Sequence, residues 1–183
     1  MNHLEELIDI ITASTWRMGA LRLVSDLNLD DWWVAAGFVR NAVWDKLHGR
    51  PMTPLNDLDV IYYDPENTKI AFDENIRAEL ESRSPRKKWS VTNQARMHEQ
   101  YGDAPYGSCL EAMRRWPETA TAVALSLDSR GKLVVAAPYG LDDLFDLIVR
   151  PTRSELTMIV KERAEKKRWK KIWSSLTFVD IPE

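Results

Sequence analysis

Asp57 and Asp59 stand either side of Leu58 at the head of the apolar run Leu58-Asp59-Val60-Ile61-Tyr62-Tyr63. Residues two apart on an extended chain point to one side, so the two carboxylates can share a hard, oxygen-preferring cation, Mg²⁺ or Mn²⁺. A second device lies upstream. Gly37 stops the short apolar run Trp33-Val34-Ala35-Ala36 and precedes Phe38 to Leu47, where Val39, Val43, Trp44 and Leu47 recur at helical spacing. A glycine at a strand-to-helix turn lets a ligand approach the backbone, and the unpaired N–H groups and positive dipole end of the helix suit a polyphosphate. Carboxylate-held metal and helix-held phosphate are the parts of an in-line phosphoryl displacement. Each has a plainer explanation alone: Asn56-Asp57 can open a strand as an Asx turn, and a glycine after a strand often only turns the chain. The order strand, glycine turn, helix, Asp-x-Asp strand places both at the same end of neighbouring strands.

The elements that must hold them follow from the hydrophobic pattern. Leu4, Leu7, Ile8, Ile11, Met18, Leu21 and Val24 predict an amphipathic helix over 3–27, with a weak point at Gly19. Leu58 to Tyr63 predicts a buried strand, residues 68–83 a helix, and Trp89 to Asn93 a third strand. Residues 94–106 are ambiguous. Cys109 to Trp116 suits a helix stopped by Pro117, and 120–127 with 133–137 around Asp128-Ser129-Arg130-Gly131 suits a hairpin. A short helix is expected over 141–148. Thr152-Arg153-Ser154-Glu155 has the form of a capping box opening a helix through about Ser174. Strands and helices mix without regular alternation, which predicts an α+β fold: a mixed sheet of about five strands with helices mainly on one face.

Composition narrows the class. With 183 residues, 44% of them hydrophobic, and 7 Gly and 9 Pro, the chain suits a single globular domain over 1–183 and excludes collagen and disorder. The lone Cys109 cannot form an internal disulfide. No apolar run approaches a membrane span, and acidic Glu5 and Glu6 stand where a signal peptide carries basic residues, so a soluble, cytoplasmic protein without a membrane partner is expected. Residues 1–149 carry 16 basic and 23 acidic side chains, whereas residues 150–183 carry 9 and 5. An acidic body thus ends in a basic tail, richest in the run from Lys161 to Lys171, read here as a solvated helix face in preference to an RNA-binding one.

The run AAGFVRNAVWDKLHGRPMTPLNDLDVIYYD resembles the head-domain signature of class II CCA-adding enzymes and bacterial poly(A) polymerases, members of the DNA polymerase beta-like nucleotidyltransferase superfamily. That signature is Gly-Gly-x-Val-Arg-Asp, a helix ending Leu-x-Gly-Arg-Pro, then Asp-hydrophobic-Asp. Downstream, Arg114 to Leu125 is similar to the family's Arg-Arg-Asp-Phe-Thr-x-Asn-Ala-Leu, Pro138 to Leu144 to Pro-x-Gly-Gly-x-x-Asp-Leu, and Ile148-Val149-Arg150 to its closing Ile-Arg. The likeness covers about 33–151 and looks closest to small stand-alone bacterial proteins of this type.

The resemblance implies metal binding and catalysis at Asp57 and Asp59 and triphosphate contact at Ala36-Gly37, supported by Arg40 and its neighbour Asn41. Nucleotide contact would fall to Arg114 or Arg115. It departs from the family at Ala36, in place of the first glycine, at Asn41, in place of an acid, and at Trp116 or Pro117, in place of Asp. Glu118 and Asn93 are both candidates for the third metal ligand. The implied reaction is Mg²⁺-dependent transfer of a nucleoside monophosphate from an NTP to an acceptor hydroxyl. The alternative is a nucleotide-binding or regulatory module that no longer catalyses. The acceptor stays open, with RNA possible but not favoured. With Glu183 as the last residue, the resemblance implies a head without the helical tRNA-binding domains. His48 is expected to be structural, near a helix C-terminus, and Asp142 and Asp143 to cap a helix.

Overall fold

The computed structural model describes residues 2–180. β1 (Trp33–Ala35), β2 (Leu58–Tyr62), β3 (Trp89–Asn93), β4 (Ala124–Leu127) and β5 (Leu133–Ala136) form one mixed sheet in the order β3-β2-β1-β4-β5. β1 is antiparallel to both its neighbours, β2 and β3 are parallel, and β4 and β5 form the expected hairpin. The fold is α+β, as the pattern of elements predicts.

The period of two sorts the strand residues onto unequal faces. Val34, Val60 and Leu125 enter the main core. There they meet Leu7 and Ile11 of α1 (His3–Thr12), Leu21 and Val24 of α2 (Thr15–Ser25), Val39 and Val43 of α3 (Gly37–Leu47) and Leu80 of α4 (Ile70–Arg83). Each such side chain, fully buried, contributes roughly 1.5–3 kcal/mol. Ala35, Ile61, Ala124 and Ala136 face the other way and meet a smaller cluster with Cys109 and Met113. That cluster is supplied by α6 (Cys109–Met113), which follows the short α5 (His98–Tyr101). Asp59 alternates with Leu58 and Val60 and shares this second face with Ile61. The thinly covered face is therefore the one with room for a ligand.

After α7 (Asp142–Phe145) and β6 (Ile148–Val149), the chain forms α8 (Thr157–Lys166) and α9 (Trp169–Ile172) and returns as β7 (Thr177–Phe178), parallel to β6. The return is anchored by aromatics: buried Trp44 of α3 meets Trp169 and Trp173 edge-on, with ring centroids 5.6 and 5.0 Å away. Such pairs contribute about 0.5–1.5 kcal/mol beyond the area they bury.

Three local expectations are corrected. The helix expected over 3–27 is two helices, broken at Ala13-Ser14, while Gly19 lies inside α2. The Thr12 hydroxyl donates to the Ile8 carbonyl at 2.8 Å, and Ser14 is extended, so short polar side chains end the first helix where a glycine does not. The box at Thr152–Glu155 does not form: the Thr152 hydroxyl donates to the Trp116 carbonyl at 2.6 Å, and a 3₁₀ turn over Ser154–Leu156 precedes α8. A capping box does form at Asn2 and Glu5, with bonds of 2.9 and 3.2 Å. The helix expected to run to Ser174 is interrupted at Arg168, whose φ is +53°.

Candidate active site

The phosphate-type turn is built at the end of β1. Ala36 donates its N–H to the Val123 carbonyl at 2.9 Å, and its own carbonyl accepts from Val39 and Arg40 to start α3. The residue with positive φ is Ala36, at φ +55° and ψ −120°, and not the glycine beside it. A side chain in that region stores strain of order 1–3 kcal/mol. Gly37 serves by its lack of bulk: a Cβ there would stand 3.7 Å from Leu55 and 3.8 Å from Asn41, ordinary contacts that the fold can accept but that occupy the cavity wall. The first amides of α3 have no intrahelical partner and no side-chain cap.

The carboxylates come from the next strand over. Asp59 is paired across the sheet with Ala35 on one side and Ser90 on the other, and Asp57 sits exposed just before β2. Burial, and then the charge of Asp57, push the Asp59 carboxyl above its ordinary value of 3.8, against the pull of Lys167, Ser90 and Arg40. Two acids held together in this way fit a divalent cation, which would relieve their mutual repulsion. Among the described residues no group of three or more His, Cys, Asp or Glu forms a metal cage. The pair therefore suits Mg²⁺, which is commonly held by one or two carboxylates plus substrate phosphates and water.

Turn and carboxylates open on one cavity of about 770 Å³, whose walls include Ala36, Gly37, Arg40, Asn41, Asp57 and Asp59. The opposite wall is the basic tail: Arg163, Lys166, Lys167 and Arg168 line the same space. The first three lie three and four residues apart along one side of α8 and its C-cap, next to the buried Val160 and Ala164 that seat the helix in the core. The tail is thus only partly a solvated face. Lys170 turns away to donate to the Leu176 carbonyl, and Lys171 is exposed. Lys167 is pulled below the ordinary lysine value by burial and by Arg40 and Arg163, with Asp59 and Glu118 opposing.

Arg40 joins the two walls. Its guanidinium, 4% exposed, lies over Trp44 and Trp169 at 4.8 and 4.4 Å, and donates to Thr121 at 2.7 Å and to Asn41 at 3.0 Å. Burial lowers its pKa to about 10, so it stays charged at neutral pH. Asp45 does the same for the entrance loop. Its carboxylate accepts the Thr53 amide and hydroxyl at 2.7 and 2.6 Å and the Trp173 indole N–H at 2.8 Å. The loop leading to Asp57 and the returning tail are tied to one side chain.

Four sequence-derived candidates are not brought to the cavity lining. Glu118 is fully buried and accepts from Arg163 Nε at 2.6 Å, which makes it the counter-ion of the cationic wall and not a third acid facing the cleft. Asn93 is spent on the Asp64 and Asn67 carbonyls and the Ala95 amide. Arg115 is paired with Asp103, and Arg114 is exposed outside the cavity. Of the remaining assignments, His48 is structural, bonded to the Trp44 carbonyl and the Ser175 amide. Asp143 does not cap α7 but holds Thr119 and Arg150, and Asp142 lies 3.2 Å from His3. Arg163, Lys167 and Trp169 were not assigned to the cleft because their place in its wall depends on the tail's return, which no local pattern encodes; Thr121 enters it from the turn before β4, where it meets Arg40.

A profile describing nucleotidyltransferases matches residues 22–178. The chain belongs to this nucleotidyltransferase family. A protein whose NMR structure reveals a CCA-adding enzyme head domain is 32% identical, with a TM-score of 0.83 over 96% of this chain and 95% of that one. A CCA-adding enzyme in complex with CTP is 16% identical with a TM-score of 0.55, and the Thermotoga maritima CCA-adding enzyme complexed with tRNA is 14% identical with the same score. Both show the fold alone. Each comparison covers 88% of this chain but only 39% and 38% of the two enzymes. No functionally curated protein matches it. Among its described residues no helix is long and apolar enough to cross a membrane.

Proposed function

We propose that the chain transfers a nucleoside monophosphate from a Mg²⁺-bound NTP to an acceptor hydroxyl, releasing pyrophosphate, and that residues 2–180 act in this as one unit. One observation carries the reading: two carboxylates, an uncapped helix N-terminus and five cations converge on a single cavity. Asp57 and Asp59 would hold the divalent cation, which when bound neutralises phosphate oxygens and lowers the pKa of the acceptor hydroxyl. The α3 amides at Gly37 and Phe38 bind phosphate oxygens from one side. Lys167, Lys166 and Arg168 bind them from the other and stabilise the charge that builds on the departing pyrophosphate. The acceptor oxygen bonds to the α-phosphorus, the α–β bridging P–O bond breaks, and the acceptor's proton passes to solvent. Arg40 and Glu118 are positioning residues that hold the two walls together.

The test is pyrophosphate release with Mg²⁺ and each of the four NTPs in the presence of mixed acceptors. Asp57→Asn is expected to lower it by about two orders of magnitude, the scale of losing one charge-stabilising group from an active site. The burial of Glu118 against Arg163 keeps a second reading in play, a nucleotide-binding module without catalysis. In that case Mg·NTP binds and no pyrophosphate appears.

A further inference from the structure

The loop between α4 and β3 carries Arg86, Lys87 and Lys88, which line a second cavity of about 540 Å³ with Trp16, Met52 and Leu58. Leu55 and Asn56 line both this cavity and the cleft, so the two open on either side of one short segment. The link is also direct: the Lys88 carbonyl accepts the amide of Leu58, the residue between the two aspartates, at 2.9 Å. Inside the groove Lys87 Nζ lies 4.2 Å from the Trp16 ring centroid, and Arg17 Cζ, which is not part of the lining, lies 4.5 Å from the same ring. Arg17 is 5% exposed, and while its Nε donates to the Phe38 carbonyl at 3.1 Å, its Nη2 has no partner.

No carboxylate among the described residues forms an ion pair with Arg17, Arg86, Lys87 or Lys88. In a chain of net charge −3 this is a local excess that the protein itself does not neutralise. Burial and the nearby Arg17 both disfavour the charged form of Lys87. Trp16 is occupied by the two cations and by the edge of Phe38, with centroids 5.6 Å apart, so its ring is not a free stacking platform. What would complete the cluster is an anion.

We propose that this groove is a phosphate subsite for the acceptor, holding a phosphate group of the molecule whose hydroxyl is presented to Asp57 and Asp59. The proposal rests on reading the cleft as a nucleotidyl-transfer site, and it narrows the acceptor to a phosphate-bearing molecule. A nucleic-acid strand and a small phosphorylated metabolite share that chemistry.

The test titrates inorganic phosphate, a nucleoside 5′-monophosphate and a short 5′-phosphorylated oligoribonucleotide into the full chain, with Mg·ATP titrated separately. The wild type is compared with Arg86→Gln/Lys87→Gln/Lys88→Gln and with Lys88→Gln alone, whose exposed side chain the fold does not need. Binding of the phosphorylated probes is expected to weaken on the order of tenfold in the triple variant, with Mg·ATP affinity unchanged. A strand is marked by an affinity that falls with salt at a slope of about −0.7 per phosphate contact and exceeds that of the monophosphate; equal binding of the two marks a small acceptor. Probe affinities equal in wild type and triple variant, or probes displaced by Mg·ATP, would overturn the subsite. A wild type that fails to bind Mg·ATP would overturn the cleft reading and the acceptor role with it, whereas loop-dependent phosphate binding in that case would still establish the anion site.

Discussion

At the scale of single residues, the chemistry comes with a cost to the fold that can be measured. The Asp59 carboxyl titrates above 3.8 in the folded chain, so the folded state holds a proton that the unfolded state has released. The resulting penalty is absent below 3.8, grows as pH rises and is complete above the raised value. Asp59→Asn is therefore expected to raise the melting temperature at pH 7 and leave it nearly unchanged near pH 3. Equal shifts at both pH values would show that Asp59 is not strained by its charge. Ala36 stores strain of another kind. Ala36→Gly is expected to stabilise the chain by about 1 kcal/mol in denaturant unfolding, because glycine adopts its φ of +55° freely while losing more entropy on folding. The two aspartates and the turn were legible in the sequence because types and spacing were local. The strain at Ala36 was legible only through the glycine that the family carries there, and the burial of Glu118 not at all.

At the scale of elements, β1, α3, β2 and β3 fall where the apolar runs and their turn residues place them. The tail does not. Its charge run was compatible with a solvated helix, and what decides its position is the long-range packing of Trp169 and Trp173 on Trp44, with Asp45 bonded to Trp173. The consequence is a functional difference between neighbours. Lys167→Gln is expected to weaken Mg·NTP binding about tenfold with little change in stability, while the same exchange at Lys171 leaves both unchanged. Equal effects at the two lysines would return the tail to solvent. The hinge between α8 and the sheet is the Arg163–Glu118 pair. Arg163→Ala strands a buried carboxylate and is expected to cost about 3 kcal/mol by denaturant unfolding, largely restored when Glu118→Gln is added. No restoration in the double variant would mean that packing, not charge, holds the helix.

At the scale of the molecule, an acidic body gathers cations next to its cleft: Lys166, Lys167, Arg168 and the Glu118-paired Arg163 on one wall, Arg86, Lys87 and Lys88 across the entrance segment. The uneven covering of the sheet leaves the space between them. The net charge of −3 argues against a broad RNA footprint, and only the folded arrangement shows how little that total says about the local field. The central claim is that the two carboxylates and the cationic wall form one Mg·NTP site. It is tested most directly by calorimetric titration of ATP, with and without Mg²⁺, into the wild type and Asp59→Asn. The expected result is one site per chain, dependent on Mg²⁺ and lost in the variant. Binding that is indifferent to Mg²⁺, or undiminished in Asp59→Asn, would contradict it.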